Sequence, residues 1–158
     1  MSPKNDFQQE NIATDLLVAM RSFAKAHRLG VVLGGSAGCW MVNRNLRVPD
    51  VSFFSKARVK QFGFRPSTAK FFPAAPDLAV EVLSPSNSRA EIESRLKDFF
   101  ASGAQLAWII DLRKERVEVC HAVTEREVVE KDGFLDGGKL LPGFRFRLAD
   151  VFGEWDWD

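Results

Sequence analysis

From Phe7 to about His27 the apolar residues Ile12, Leu16, Met20 and Phe23 recur at nearly constant spacing, a stripe along one side of a helix. Asn5 or Asp6 is placed to cap its start and Gly30 to end it. The period then shortens. Val31 to Leu33 is a short apolar run, Gly34-Gly35-Ser36-Ala37-Gly38 a turn, and Cys39-Trp40-Met41-Val42 a second run; together they predict a β-hairpin. The glycines do not make a phosphate loop of the Walker type, which needs Gly-Lys-Ser/Thr opening a helix. Val51 to Phe54 predicts a third strand. Leu78 to Leu83 predicts a fourth, apolar on both faces except at Asp77 and Glu81 and therefore central. The stretch from Lys56 to Phe72 between them reads as one helical turn and loop.

Ser84-Pro85-Ser86-Asn87 breaks the fourth strand, and Ser88 with Glu91 three positions on forms a capping-box signature. The helix it opens buries Ile92, Leu96, Phe99 and Phe100 and closes at Gly103. Leu106 to Ile110 is another buried strand, ending at Asp111; Val117 to Cys120 and Glu127 to Val129 follow as later strands. Leu141-Pro142-Gly143-Phe144-Arg145-Phe146 lays aromatics back over the core. No internal repeat or low-complexity linker appears, so residues 1–158 are expected to form one α/β domain, a mixed sheet flanked by helices.

Composition narrows the function classes. At 46% hydrophobic the chain has an ordinary core, and no run approaches the roughly 18 apolar residues of a membrane helix. With no signal-peptide pattern at the start, the expectation is a soluble, cytoplasmic protein. Cys39 and Cys120 read as free buried thiols, His27 and His121 follow no zinc motif, and the absence of Tyr excludes tyrosine chemistry. The net charge of +1 is unevenly spread. Between Met41 and Ala75 lie Arg44, Arg47, Lys56, Arg58, Lys60, Arg65 and Lys70 against a single acid, Asp50, a net +6 that leaves −5 for the remainder. Such a run is either a solvated loop or a face that binds phosphates.

Asp50 and Glu81 are the candidates for chemistry. A carboxylate among Val, Leu and Phe must be paired, protonated or bound to metal. Strand alternation puts Asp77, Ala79, Glu81 and Leu83 on one face, and Asp50 lies at the mouth of the preceding strand. On adjacent strands, Asp50 and Glu81 would converge on one hard cation, Mg²⁺ or Mn²⁺, with the Val82 carbonyl as a further oxygen. The competing explanations are an Arg47–Asp50 pair and a buried Arg–Glu pair at Glu81. Asp77 and Asp111 read as strand-end residues facing solvent.

Three segments, Arg47-Val48-Pro49-Asp50-Val51, Pro76-Asp77-Leu78-Ala79-Val80-Glu81-Val82-Leu83-Ser84-Pro85-Ser86 and Gly103 through Asp111, resemble the Uma-type restriction-endonuclease family. These are bacterial proteins of the PD-(D/E)XK nuclease superfamily. Asp136-Gly137-Gly138 and Leu141 to Phe144 resemble its C-terminal region, and the match runs from about Gln9 to Phe152. The resemblance implies a restriction-endonuclease-like core in αβββαβ order with additional C-terminal strands, and Mg²⁺-dependent cleavage of phosphodiesters. The superfamily's lysine would fall at Leu83. This family carries it on the following helix instead, where the position is Arg95, with Phe99 at its usual tyrosine and Gln9 at its first-helix histidine. The family's segment before that helix is missing from this sequence. Arginine stabilises a phosphate but cannot activate water, and Lys97 stands about 200° around the helix from Arg95.

The leading expectation is a metal-dependent nuclease acting on DNA. Asp50 and Glu81 would hold the cation, Arg95 or Lys97 would steady the phosphate, and Arg44, Arg47, Lys56, Arg58 and Lys60 would contact the backbone. The alternative is a catalytically degenerate nuclease scaffold serving as a DNA-binding or assembly module. Trp155 and Trp157, in the acidic tail, would then belong to a homodimer or partner interface.

Overall fold

The computed structural model describes residues 6–158. Helix α1 (Phe7–Ala26) starts at Asp6, whose carboxylate accepts the Gln9 N–H while the Gln9 side chain accepts the Asp6 N–H. This reciprocal pair satisfies two donors that the first turn would otherwise leave open. Asn5, the other capping candidate, lies outside the described residues. The helix ends before Gly30: His27 is the C-cap, Arg28 takes a left-handed φ of 55°, and the N–H groups of Arg28 and Leu29 return to the Lys25 and Ala24 carbonyls. Gly30 opens β1 (Gly30–Leu33), where a Cβ would run into the Phe54 carbonyl of the neighbouring strand.

That neighbour is β4 (Val51–Ser55), antiparallel, with Gly30 opposite Ser55 and Leu33 opposite Ser52. The expected hairpin between the first two apolar runs does not form. Instead β2 (Cys39–Trp40) pairs with β3 (Leu46–Arg47) in a separate ribbon. The reason is burial: Cys39 and Met41 pack with Phe54 and Phe72 on top of the sheet, while β4, apolar on both faces, takes the place inside it.

The main sheet continues through β5 (Leu78–Val82), β6 (Leu106–Asp111), β7 (Arg116–Cys120) and β8 (Arg126–Glu130), in the order β1-β4-β5-β6-β7-β8. Only β5 and β6 run parallel, connected by α3 (Arg89–Ala101); the other pairs are antiparallel. Ser88 caps α3, although Glu91 takes the Asn87 amide rather than the cap's N–H, and Gly103 turns the chain out at φ 99°. A short α2 (Lys56–Gln61) follows β4, and β9 (Phe134–Asp136), β10 (Arg145–Arg147) and α4 (Ala149–Phe152) complete the chain.

Every residue of β5 is buried, and its alternation divides two layers. Leu78, Val80 and Val82 join Leu16, Met20 and Trp108 under α1, where Phe144 stacks toward Trp108 and meets Phe23 edge-on. Ala79 faces the other way, with Phe54, Phe72 and Phe99. Both cysteines are buried, and burial pushes Cys39 up to about 12 and Cys120 up to about 11, so neither thiol ionises near neutrality. Among the described residues, no helix is long and apolar enough to cross a membrane.

Arg58 corrects one expectation. It turns inward from α2, donating from Nε to the Ala75 carbonyl at 2.6 Å and from Nη2 to the Ser102 carbonyl at 2.8 Å. It is a buried brace between α2, the loop before β5 and the end of α3, not a surface cation for DNA. Gly103 is glycine partly because the guanidinium occupies the space a Cβ would need. Arg58→Met is expected to lower stability by about 3 kcal/mol, because both charged hydrogen bonds go and buried carbonyl oxygen loses partners. Thermal denaturation checks this; an unchanged midpoint would make the brace energetically idle.

Candidate functional site

Glu81 sits on the side of β5 that faces α3 and is only 4% exposed. A charge at that depth needs an opposite charge. Arg95 supplies it, with Nη1 3.1 Å from Glu81 Oε2. α3 is oriented for this contact by a polar face at helical spacing, Ser94, Arg95, Asp98 and Ser102. Ser94 Oγ and Asp98 both accept from Arg47, Asp98 also from the Asn43 and Asn45 amides, and Ser102 Oγ from the Val42 N–H. The β2–β3 ribbon is thereby fastened along the helix.

Asp50 follows that ribbon by three residues and directly precedes β4. Its N–H donates to the Val80 carbonyl at 3.0 Å, and its Oδ2 accepts the Val82 N–H at 2.7 Å. These bonds bracket Glu81, so Asp50, just ahead of β4, lies within one residue of Glu81 in register. From the other layer Gln9, 2% exposed, directs its amide to the Val82 carbonyl at 3.4 Å. The first turn of α1 thus closes over the end of β5.

The remaining expected residues are distributed differently. Arg47 pairs with Asp98 rather than Asp50, its Nη2 2.6 Å from Asp98 Oδ2. Lys97 is exposed, on the opposite side of α3 from Arg95. Arg44 stands at the exposed ribbon tip, with φ 69°. Lys56 and Lys60 are exposed on α2, beyond the far end of β4, about 17 Å of strand from Asp50. The basic run therefore does not gather beside Asp50, because β4 carries its two halves to opposite ends. Asp77, expected to face solvent, is 2% exposed; it accepts the Ser55 N–H and the Gln105 amide and ties β4 to β6. Asp111 does hold an exposed turn, accepting the Lys114 N–H.

Asp98 and its asparagines were not singled out from the sequence. The signal was present: Asp98 lies between Leu96 and Phe99 on the stripe assigned to the core, where an acid requires partners. Burial raises its carboxyl, but the Asn45, Arg47 and Asn43 hydrogen bonds and the Arg47 charge outweigh that and hold it below the usual range.

The candidate donors, the Asp50 and Glu81 carboxylates and the Val82 carbonyl, are all oxygen, with the Arg95 guanidinium beside Glu81. Among the described residues no group of three or more His, Cys, Asp or Glu gathers as a metal cluster. Two carboxylates suit a hard ion that keeps several waters, so these residues fit Mg²⁺ or Mn²⁺ and not a softer metal.

A family model described as "Uma2: Putative restriction endonuclease" matches residues 1–149. The chain belongs to the Uma2 family. A crystal structure from Anabaena variabilis ATCC 29413, described as "a putative nuclease belonging to DUF820", superposes with a TM-score of 0.82 at 23% identity. The match covers 96% of this chain and 84% of that one, and shows the shared fold, a mixed sheet flanked by helices. No curated protein matches.

The depressed Asp98 carboxyl has a definite sign. Its contribution to stability is complete above the unfolded pKa of about 3.9 and is lost as pH falls through the lower folded value. Asp98→Asn is expected to cost roughly 2 kcal/mol at neutral pH and to lose less than wild type on acidification. Denaturant melts across that pH range check it; parallel acid limbs would contradict it.

Proposed function

We propose that this Uma2 protein is a divalent-metal-dependent endodeoxyribonuclease, a single nuclease-like domain acting on DNA in the cytoplasm. The observation that carries the reading is the pair of buried carboxylates on adjacent strands, Glu81 bracketed by the two bonds of Asp50. Asp50 and Glu81 would hold Mg²⁺ or Mn²⁺, with the Val82 carbonyl as a further oxygen. The ion, when bound, lowers the pKa of a water and neutralises charge on a phosphoryl oxygen. Gln9 anchors the Val82 carbonyl end of β5, and Arg95 offers a fixed positive charge for the phosphate while remaining against Glu81. Neither Arg95 nor the apolar Leu83 accepts a proton, so the residues bind and orient rather than deprotonate.

One observation favours the scaffold reading instead. The Arg95–Glu81 pair already gives the carboxylate a partner, as a purely structural ion pair would. Calorimetric titration with Mn²⁺ separates the two. Wild type is expected to bind, and Glu81→Ala, folded by circular dichroism, to lose binding together with metal-dependent nicking of plasmid DNA. Absence of Mn²⁺ binding in wild type, both alone and with an uncleavable duplex, would establish the scaffold.

A further inference from the structure

Residues 70–72 run alongside β2. The Trp40 N–H donates to the Phe72 carbonyl at 2.8 Å and the Phe72 N–H to the Gly38 carbonyl at 3.0 Å. With β3 they make a three-stranded ribbon. Alternation sends Cys39 and Phe72 into the core. The same alternation turns Trp40, Leu46 and Phe71 outward. Trp40 is 44% exposed and Leu46 38%; the Trp40 and Phe71 rings meet edge-on at 5.9 Å. Phe71 and Leu46 both cross Gly38, where a Cβ would collide with them, so the three side chains form one patch. A ribbon with one face in the core normally shows polar residues on the other. This one shows an aromatic face.

Its surroundings are cationic. The Lys70 ammonium lies 5.2 Å over the Phe71 ring, and Arg44 is exposed at the ribbon tip. The single acid between Met41 and Ala75, Asp50, is buried in the candidate site.

We infer that the outer face of this ribbon binds an unpaired nucleic-acid strand, with bases on Trp40 and Phe71 and phosphates beside Lys70 and Arg44. Stacking needs the π-face of a base, which a duplex hides, and the positive rim tracks the backbone. Charge complementarity favours this occupant over an apolar protein surface, since an unpaired strand brings both the flat rings and the negative charge. Leu46 precedes Asp50 by four residues, at most about 14 Å of chain, so a strand held here passes near the candidate carboxylates. The inference rests on the nuclease reading for its choice of polymer and deepens it: the substrate is single-stranded DNA, or DNA with an unpaired segment.

Fluorescence anisotropy in EDTA reads binding apart from metal and cleavage. The probe is a labelled oligo-dT of about 12 nucleotides, compared with a duplex of equal length. Wild type is expected to prefer the single strand. Trp40→Ala should weaken it about tenfold or more, and Trp40→Phe should recover most of the loss. Lys70→Glu, which also takes the ammonium off the Phe71 ring, should weaken binding and flatten its salt dependence. Binding read in EDTA needs no metal, so an inactive metal site and an incorrect ribbon assignment give different results. Equal affinity of wild type and a folded Trp40→Ala for the single strand would overturn the inference. So would a wild-type dimer, seen by sedimentation, that Trp40→Ala converts to monomer.

Discussion

The arrangement around the candidate site follows from one constraint, an ionised side chain on a strand buried on both faces. Glu81 has Val80 and Val82 on either side and α3 above it. Removing such a charge from water costs several kcal/mol unless an opposite charge comes with it. α3 cannot then be a plain amphipathic helix with its apolar stripe against the sheet. It carries Arg95, Asp98 and Ser102 toward the sheet and ribbon beside Leu96 and Phe99, and Asp98 in turn requires the asparagines and Arg47 of the ribbon. A buried ion pair is weak evidence for stability, since an apolar pair of similar size often serves as well.

Asp50 shows how the main chain takes part in accommodating the second carboxylate. The β4–β5 ladder becomes irregular at its end: the Asp50 N–H reaches Val80, and the Val82 N–H turns to the Asp50 carboxylate. A side chain replaces a main-chain acceptor, so a donor at the strand end is not left open. The same bond that aligns Asp50 beside Glu81 thus completes the sheet. On the nuclease reading, structural and chemical roles would share one atom, and a substitution at Asp50 would disturb both at once. Glu81 offers the cleaner experiment, because its loss leaves the main-chain ladder intact.

The long elements were legible because they bury a regular stripe. α1 and α3 show it at helical spacing, and β4, β5 and β6 are short apolar runs between strong breakers. What the pattern does not carry is partnership. Val31 to Leu33 and Cys39 to Val42 both read as strands around a glycine turn, yet one pairs within the sheet and the other folds over it. Charge proved harder. Seven cations in one stretch look like a single field, but Arg58 faces inward, Arg47 meets Asp98, and Lys56 and Lys60 lie beyond the far end of β4. Asp50, Glu81 and Arg95 were legible as positions, the first two from their apolar flanks and the third from the resemblance. Asp98, Asn43 and Asn45 needed the fold, because nothing in their local sequence says that a hairpin tip lies against a helix 50 residues later.

The identity of the cation beside Glu81 sets what this site can do with protons. A lysine there would lose charge when desolvated and could take a proton from water; arginine does not. On the nuclease reading, Arg95 would supply positive charge rather than a base, and Leu83 contributes neither. A bound divalent ion would lower the pKa of the attacking water, whose proton would pass to solvent. On that reading the protein's share of catalysis would be geometric: a carboxylate pair held at the end of β5, a positive charge beside it, and a strand of substrate held on the ribbon. A site of this composition depends more on how the substrate strand is held than on any side-chain base. On both readings together, the aromatic face four residues upstream of Asp50 would bear on the chemistry rather than on affinity alone.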